Sequence, residues 1–175
     1  EFEAWIDRCG SRLINPPAVL RWNLSKRYLR DLESHGVPTI PTCWFERPLA
    51  TELTEWLAAR PQGTEWILKP AISAGAHQTL RLPGGHPLQG GSTKGEPAMA
   101  QGLEALCRDQ TLVLGQQFLP SILEQGERSL FFFGEKLTHA VLKKPRPGDF
   151  RVQPIHGGST ESIRSEEHTS ELQSR

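Results

Sequence analysis

The chain has 175 residues, enough for one domain of ordinary size, and its 20 Lys and Arg residues balance its 20 Asp and Glu residues. This neutral total gives no general electrostatic reason to expect a nucleic acid or an anionic membrane as partner, while 37% hydrophobic residues allow a core to form. No apolar run approaches the roughly 18 residues of a membrane helix, so we expect no membrane partner.

The first residues and the cysteines indicate the cellular compartment in which we expect the protein. EFEAWIDRCG has neither a basic nor an apolar signal-peptide region, and because it lacks an initiator Met we expect it to lie inside a longer protein. Cys9, Cys43 and Cys107 are far apart and odd in number. This spacing favours reduced thiols over a disulfide framework or a zinc site. We therefore expect a cytoplasmic protein.

The first predicted elements are a helix and an extended segment. A helix is expected over 24–36, where Asn23 or Ser25 can cap the start and Gly36 can end it in a left-handed conformation. The following VPTIPTC, residues 37–43, is restricted by its prolines and predicts an edge strand.

The middle of the chain predicts a second helix over 51–60 and two short strands over 66–70 and 79–82. The loop between these strands consists mostly of small residues. Residues 83–97 are rich in Gly and Pro and predict a longer loop.

The second half predicts mainly strands. A third helix over 98–108 precedes a strongly apolar strand over 111–118. A hairpin follows, with strands over 128–133 and 137–144, and a last strand is expected over 150–153. Because helices and strands alternate early and strands cluster late, the fold class is α+β or mixed α/β with an antiparallel sheet.

The segment KPAISAGAHQT, residues 69–79, is the first candidate site. Small side chains let backbone N–H groups approach a ligand closely, and successive N–H groups form an anion-binding concavity. Lys69 adds a positive charge beside it, so phosphate is the expected ligand. Neither a P-loop nor a dinucleotide-binding glycine fingerprint is present, and a flexible hairpin tip explains the composition equally well.

Basic residues recur near the later strands at Lys143, Lys144, Arg146 and Arg151. One strand presents Lys143 and Lys144 on opposite faces, so one of them can face a cleft while the other faces solvent. The alternative is that both lysines decorate solvated strand edges.

Five motifs occur in one order: KPAISAGAHQT, GQQFLP, GERS, LKKPRPGDFRVQ and HGG. In this order and spacing they resemble the ATP-grasp superfamily, in particular its branch of prokaryotic glutathione synthetases, ribosomal-protein glutamate ligases and cycloserine-forming relatives. The earlier NPPAVLRWNLSKRYLRDLESHGVPTIPT is similar to the segment that enters the nucleotide-binding domain there. The resemblance covers about residues 10–160 and implies an α+β ATP-grasp fold, two α+β subdomains gripping ATP, with its C-terminal part missing.

The resemblance implies three regions. Residues 1–22 are expected to be the tail of a preceding N-terminal domain and a linker, and residues 23–163 an incomplete ATP-grasp nucleotide-binding region. Residues 164–175 are expected to be a non-native tail, because RSEEHTSELQS resembles translated sequencing-adapter DNA.

The resemblance also implies roles for single residues. Lys26 and Lys69 contact the ATP phosphates, the loop of Ser73, Ala74, Gly75 and Ala76 folds over them as a lid, and adenine lies against residues 116–119. The nucleotide-contacting residues expected, with Lys143 included as the cleft-facing lysine, are Lys26, Lys69, Ser73, Ala74, Gly75, Gln116, Gln117, Phe118, Leu119, Glu127 and Lys143.

Two of the implied roles follow from the charge of the side chain, one in binding and one in catalysis. Glu127 matches a carboxylate that holds the ribose hydroxyls, and Arg151 matches a basic catalytic residue that stabilises the transferring phosphoryl group. At Gln117 many relatives carry an acidic residue, so the adenine contact there departs from the pattern.

The implied reaction joins a carboxylate to an amine. ATP phosphorylates the carboxylate, and the amine then attacks the activated carbon while phosphate leaves. Mg²⁺ is required, and the family holds it by Asp, Glu and Asn residues after the HGG segment, where this sequence runs into the adapter-like tail. We assign no metal ligand, and we expect this chain to be inactive although its parent is a ligase.

The partners expected are ATP and a small carboxylate or amino-acid-like substrate, whereas oligomeric state cannot be deduced. One alternative is a nucleotide-binding or regulatory module without chemistry. A further alternative is a small β-rich domain whose basic strands bind acidic protein surfaces. Truncation at both ends is expected to expose core surface and to lower the solubility of the isolated chain.

Overall fold

The computed structural model describes residues 2–85 and 96–163, which divide into two compact units. The first unit ends at Phe118 and the second begins at Leu119. Both contain helices and antiparallel strands, which confirms the α+β class. The adapter-like stretch and residues 86–95 of the predicted long loop lie outside the described residues. Within the described part, no helix is long and apolar enough to cross a membrane.

The first unit contains five α-helices among its described residues. They are α1 Phe2–Cys9, α2 Pro17–Leu24, α3 Tyr28–Ser34, α4 Ala50–Ala58 and α5 Glu96–Asp109, with a 3-10 turn at Gly10–Arg12. The predicted second and third helices are confirmed as α4 and α5. Helices α1 and α2 were not predicted.

The single helix predicted over 24–36 is wrong at its start. Residue Ser25 has extended backbone angles, so α2 ends before it and α3 begins at Tyr28. The Ser25 hydroxyl accepts a hydrogen bond from the Arg27 N–H at 3.3 Å, so it caps a turn and not the predicted helix. Gly36 has φ +77° and ends the segment in the left-handed conformation, as predicted.

Four antiparallel strands form the sheet of the first unit: β1 Thr42–Glu46, β2 Glu65–Pro70, β3 Leu80–Pro83 and β4 Leu112–Gln117. Their order is β1-β4-β2-β3, so the most apolar strand lies inside the sheet and β1 lies at an edge. The predicted edge position is confirmed, but β1 starts only at Thr42. The prolines before it, Pro38 and Pro41, have no N–H to donate to a ladder.

The two faces of this sheet differ in what covers them. Helices α4 and α5 pack on one face, and the buried cluster there comprises Phe45, Leu53, Leu57, Leu68, Leu82, Leu103, Leu106 and Val113. Because side chains alternate along a strand, Lys69 and its register partner Leu114 lie on the opposite face. A second cluster of Ala71, Leu112 and Leu114, with Leu29 of α3, covers part of that face.

The second unit contains the strands β5 Glu127–Phe133, β6 Lys136–Lys144 and β7 Ser159–Ile163, in the order β5-β6-β7. A short helix α6, Ser121–Glu124, precedes them, and a 3-10 turn spans Pro154–His156. The predicted hairpin is confirmed as β5 and β6.

The strand predicted over 150–153 is wrong. The carboxylate of Asp149 accepts the N–H groups of Phe150 and Arg151, so these residues form a turn and not a ladder. The chain joins the sheet later, as β7, whose polar sequence STESI carries no apolar alternation and gave no strand signal.

Candidate nucleotide-binding site

The break between α2 and α3 brings Lys26 against the loop of small residues. Its backbone N–H donates to the Ala71 carbonyl at 2.9 Å. Its Nζ donates to the Ser73 hydroxyl at 3.1 Å, to the Ser73 carbonyl at 3.2 Å and to the Ala71 carbonyl at 3.4 Å. These partners are all neutral oxygens, and burial lowers the pKa of Lys26. The structure therefore joins two predicted site residues, Lys26 and Ser73, with an ammonium whose charge these partners do not cancel.

The same loop contains left-handed backbone beyond its glycine. Gly75 has φ +61°, and Ala76 and Gln78 have φ +58° and +51°. The left-handed conformation costs a non-glycine residue roughly 1–2 kcal/mol, so contacts must hold it. The Gln78 amide donates to Asp109 at 2.8 Å and accepts from Gln110 at 2.7 Å, which ties the end of the loop to the end of α5.

The middle of the loop is the exposed part. Ala74 and Gly75 are exposed, as a lid over a ligand requires. Two loop N–H groups serve internal turns, since His77 donates to the Ala74 carbonyl and Thr79 to the Ala76 carbonyl. The loop is thus attached at both ends, and only part of its backbone can serve as the predicted anion-binding concavity.

Lys69 is the penultimate residue of β2 and lies on the face away from the main core. It lies two residues before Ala71, which Lys26 contacts, so both predicted phosphate-binding lysines border the same loop. Lys69 is partly buried and Gln116 is buried, and both side chains lie on this face.

Residues 116 and 117 end β4. The Gln116 side chain is 4% exposed and donates to the Thr42 hydroxyl at 2.8 Å, so it fastens β4 to the edge strand β1. Gln117 is exposed and pairs with Trp66 of β2. Of these two residues, Gln117 is the one whose side chain is open to a ligand.

Residue Phe118 is held firmly where the first unit ends. Its N–H donates to the Glu65 carbonyl at 2.8 Å, and the guanidinium carbon of Arg81 lies 3.9 Å from its ring centroid. Glu65 in turn accepts two hydrogen bonds from Arg81, at 2.9 and 2.5 Å. Leu119 begins the second unit. The predicted adenine strand therefore crosses the boundary between units, and the Phe118 N–H already has a protein acceptor.

In the second unit the structure pairs two predicted residues. The Nζ of Lys143 donates to the Glu127 carboxylate at 3.2 Å, across directly opposed positions of β5 and β6. Ser129 also donates to this carboxylate, at 3.4 Å. Lys144 is exposed. A ribose bound at Glu127 would therefore meet a carboxylate already held by a lysine.

The predicted catalytic residue Arg151 is held by Asp149, which was not predicted. Arg151 Nε donates to Asp149 Oδ1 at 3.0 Å and Nη2 donates to Oδ2 at 2.8 Å. This fork holds the pKa of Asp149 well below its usual range and raises that of Arg151. The sequence signal was present, because an Asp two residues before an Arg in GDFR can form both an Asx turn and an ion pair.

The HGG motif proves to be packed against the Arg151 segment. A Cβ atom on Gly158 would lie 2.1 Å from the Val152 carbonyl oxygen, and one on Gly157 would lie 3.0 Å from Arg146 Cδ. Gly157 also has φ +83°. These positions need glycine for close packing, whatever else the motif does.

Mg²⁺ prefers carboxylate and other oxygen ligands. Within residues 2–85 and 96–163, no group of three or more His, Cys, Asp or Glu residues could hold a metal ion. In the second unit, the carboxylates of Glu127, which was predicted, and of Asp149, which was not, are each paired with a cationic side chain. The described residues do not fit the metal, and we assign no step through it.

Comparison with known proteins places this chain in a family, although no family model matches it. It is 33% identical over 147 residues to the cycloserine biosynthesis protein DcsG of Streptomyces lavendulae, covering 82% of this chain and 46% of that protein. It is 31% identical over 161 residues to a glutathione synthetase of Prochlorococcus marinus (strain MIT 9313), covering 89% and 44%. A crystal structure of D-cycloserine synthetase DcsG matches with a TM-score of 0.70 and 26% identity, over 96% of this chain and 56% of that one.

The chain belongs to the ATP-grasp superfamily. This confirms the resemblance found in the motifs and the predicted fold. The ATP-grasp chain spans about half the length of the curated relatives that it matches. That its two units grip one nucleotide between them stays a prediction, as do the roles of the individual site residues.

Proposed function

We propose that this chain binds ATP as the nucleotide-binding part of an ATP-dependent ligase that forms a C–N bond through an acyl phosphate. One observation carries the proposal: the Lys26 ammonium lies against the loop of small residues with only neutral oxygens among its three acceptors. A positive charge held this way favours an anionic ligand, and exposed loop backbone beside it adds donors. Relatives named as synthetases support the reaction class.

The first unit is proposed to bind the phosphates and the base. Lys26 and Lys69 border one loop and supply positive charge to the phosphates, while Ser73, Ala74 and Gly75 close over them. Gln116, Gln117, Phe118 and Leu119 are proposed to line the adenine. Because the Phe118 N–H is donated to Glu65, base recognition falls to the other backbone groups of this segment.

The second unit is proposed to supply the ribose contact and the reacting end. Glu127, held by Lys143, accepts from the ribose hydroxyls. Arg151 stabilises charge on the terminal phosphoryl group as it passes to a substrate carboxylate, and an amine then displaces phosphate. We propose that the parent protein uses Mg²⁺ held by residues other than those described above, where the ion would supply positive charge to the phosphates.

The substrate is proposed to be a small carboxylate or amino-acid-like molecule. Two sets of matched relatives support this class, since their names specify glutathione and cycloserine, both of amino-acid type.

The proposal is tested by calorimetric titration of the chain with ATP and Mg²⁺. We expect Lys26→Ala and Lys69→Ala each to weaken ATP binding about tenfold or more, the effect of losing a charge-assisted hydrogen bond. Lys136→Ala is the matched control, because Lys136 is an exposed lysine at the hairpin turn of the second unit. ATP binding that both variants leave unchanged would refute this phosphate site.

Two measurements distinguish a ligase from a non-catalytic nucleotide-binding module: the coding sequence downstream of residue 163 and the ATPase activity of the chain. Extending the reading frame into the source DNA should reveal a downstream Asp, Glu and Asn cluster if the parent is a ligase, and a stop codon near residue 163 if it is a module. We expect this chain alone to hydrolyse no ATP when substrates are added. Substrate-stimulated ATPase activity of the chain would contradict that expectation.

A further inference from the structure

Asp149 is a partly buried residue whose two carboxylate oxygens both accept hydrogen bonds from the residues that follow it. Its side chain is 7% exposed. Oδ1 accepts from the Phe150 N–H at 2.8 Å, from the Arg151 N–H at 3.0 Å and from Arg151 Nε at 3.0 Å. Oδ2 accepts from Arg151 Nη2 at 2.8 Å. Three hydrogen bonds therefore fix the backbone and the guanidinium of Arg151 to one carboxylate, and a fourth fixes the backbone of Phe150 to it.

The surroundings of Asp149 leave this segment little room to change. Arg146 Nε lies 3.7 Å from Oδ2, so a second guanidinium faces the same carboxylate. Gly157 packs against the Arg146 side chain, and Gly158 packs against the carbonyl of Val152, the residue after Arg151. The HGG segment thus lies close to residues on both sides of Arg151 in the sequence, Arg146 and Val152.

The fork leaves one edge of the Arg151 guanidinium for a ligand. A guanidinium has five N–H donors in a rigid plane, and Asp149 engages the edge formed by Nε and Nη2. The edge formed by Nη1 and Nη2 points away from that carboxylate, and the side chain is 32% exposed. A planar group fixed on one edge can present the other edge without losing further rotamer freedom on binding.

We infer that Asp149 is a positioning residue, which fixes the Arg151 guanidinium so that its outer edge meets the terminal phosphate of ATP. This inference rests on the proposed function, because the phosphate role of Arg151 belongs to that proposal. Asp149 itself acts through Arg151 and touches no reacting atom.

The test compares ATP with AMP, since only ATP carries a terminal phosphate beyond the first. In calorimetric titrations of the 175-residue chain, Asp149→Asn should weaken ATP binding about tenfold and leave AMP binding unchanged. Asparagine keeps Oδ1 as an acceptor for the two backbone N–H groups but loses the charge and the Oδ2 acceptor. Glu135→Gln removes one negative charge from the exposed hairpin turn of the same unit and should leave both affinities unchanged.

A second variant keeps the test decisive if Asp149→Asn unfolds. Arg151→Lys keeps the charge but cannot form a two-armed fork, so it should lose the same preference for ATP over AMP. In the double variant the two losses should not add, because both remove one fixed guanidinium. The Arg151 Nε–H resonance should exchange slowly with water in the wild type and quickly in Asp149→Asn.

The outcomes separate this inference from the proposed function. If the wild type binds ATP but Asp149→Asn and Arg151→Lys keep its full preference over AMP, the inference is overturned and ATP binding stands. If Arg151→Ala weakens ATP binding while Asp149→Asn does not, Arg151 acts without positioning by Asp149. If the wild type binds no ATP, the proposed function fails, and the inference fails with it.

Discussion

The two units are stabilised in different ways. In the first, a cluster of fully buried leucines lies between the sheet and helices α4 and α5, including Leu53, Leu57 and Leu106. Among the described residues of the second, the buried hydrophobic side chains are Ala140 and Val152, while Phe131, Phe132 and Phe133 are 41%, 55% and 71% exposed. Side-chain packing therefore dominates the first unit, and backbone ladders, ion pairs and close glycine contacts dominate the second.

The largest effect should come from core truncation in the first unit. Leu57→Ala should lower the free energy of unfolding by about 2–5 kcal/mol, because it leaves a cavity in a fully buried cluster. Phe133→Ala in the second unit should cost no more than about 0.5 kcal/mol, since that ring is largely exposed. Urea titrations check this contrast, with tryptophan fluorescence for the first unit, which contains all five tryptophans, and hydrogen exchange for the second. Equal costs would remove the contrast.

The next effect concerns the ion pair of the second unit. Asp149→Asn should destabilise the second unit by roughly 2 kcal/mol at pH 7, the scale of a lost charged hydrogen bond. The folded-state pKa of Asp149 lies below its unfolded value of about 3.9, so its contribution is present above that value and is lost as pH falls below it.

Hydrogen exchange of β6 from pH 7 down to pH 3 checks this prediction. The stability difference between wild type and Asp149→Asn should stay constant above about pH 5 and shrink below about pH 4. Glu65→Gln, which disrupts an ion pair of the first unit, is the comparison, and it should leave exchange in β6 unchanged. A difference that persists undiminished in acid would contradict the ion-pair account.

The pH dependence of ATP binding in the alkaline range should show whether Lys26 of the first unit contributes its charge. Because burial lowers the pKa of Lys26, ATP binding should weaken at lower pH than an ordinary lysine pKa of about 10.4 predicts. The loss should reach about tenfold as the ammonium becomes neutral. Lys26→Arg stays charged throughout and should show no such decline over the same range. Identical pH profiles for the two proteins would exclude Lys26 as the titrating group.

The smallest effect tests the left-handed backbone of the loop. Ala76→Gly removes the penalty of φ +58° and should be more favourable than Ala74→Gly by about 1 kcal/mol in the free energy of unfolding. Ala74 is the matched control, because it precedes the left-handed residues in the same loop. Equal effects in thermal or urea unfolding would show that the loop does not hold Ala76 in that conformation in solution.

Periodicity predicted the elements that bury a face. Helices α4 and α5 and strands β2 and β4 have apolar patterns whose inward side chains are buried in the structure, whereas the hairpin of β5 and β6 was predicted from the turn between two apolar runs. Strand β7 was missed because exposed polar residues form it, and its pairing with β6 is decided by backbone hydrogen bonds. The break after Leu24 was missed because an extended Ser25 overrides good helix formers on both sides.

The contacts of the candidate site also differ in whether the sequence could predict them. The motif resemblance selected Lys26 and Ser73, but their contact joins residues 47 positions apart, and no local pattern predicts such a distance. Asp149 lies two positions before Arg151, so local turn chemistry could have predicted its hydrogen bond with the Arg151 N–H. Arg81 beneath Phe118 had no sequence signal, because the contact depends on the register of β2 with β3 and β4.

The tight fit of Gly158 has a consequence for recognising such proteins in genomes. A side chain at that position would collide with a main-chain carbonyl, so replacement threatens folding before it affects any reaction. A sequence search that relies on Gly157 and Gly158 would thus retrieve family members without enzymatic activity as readily as active enzymes. To assign activity to members of this family, one should instead examine the charged side chains near these glycines, Arg146, Asp149 and Arg151.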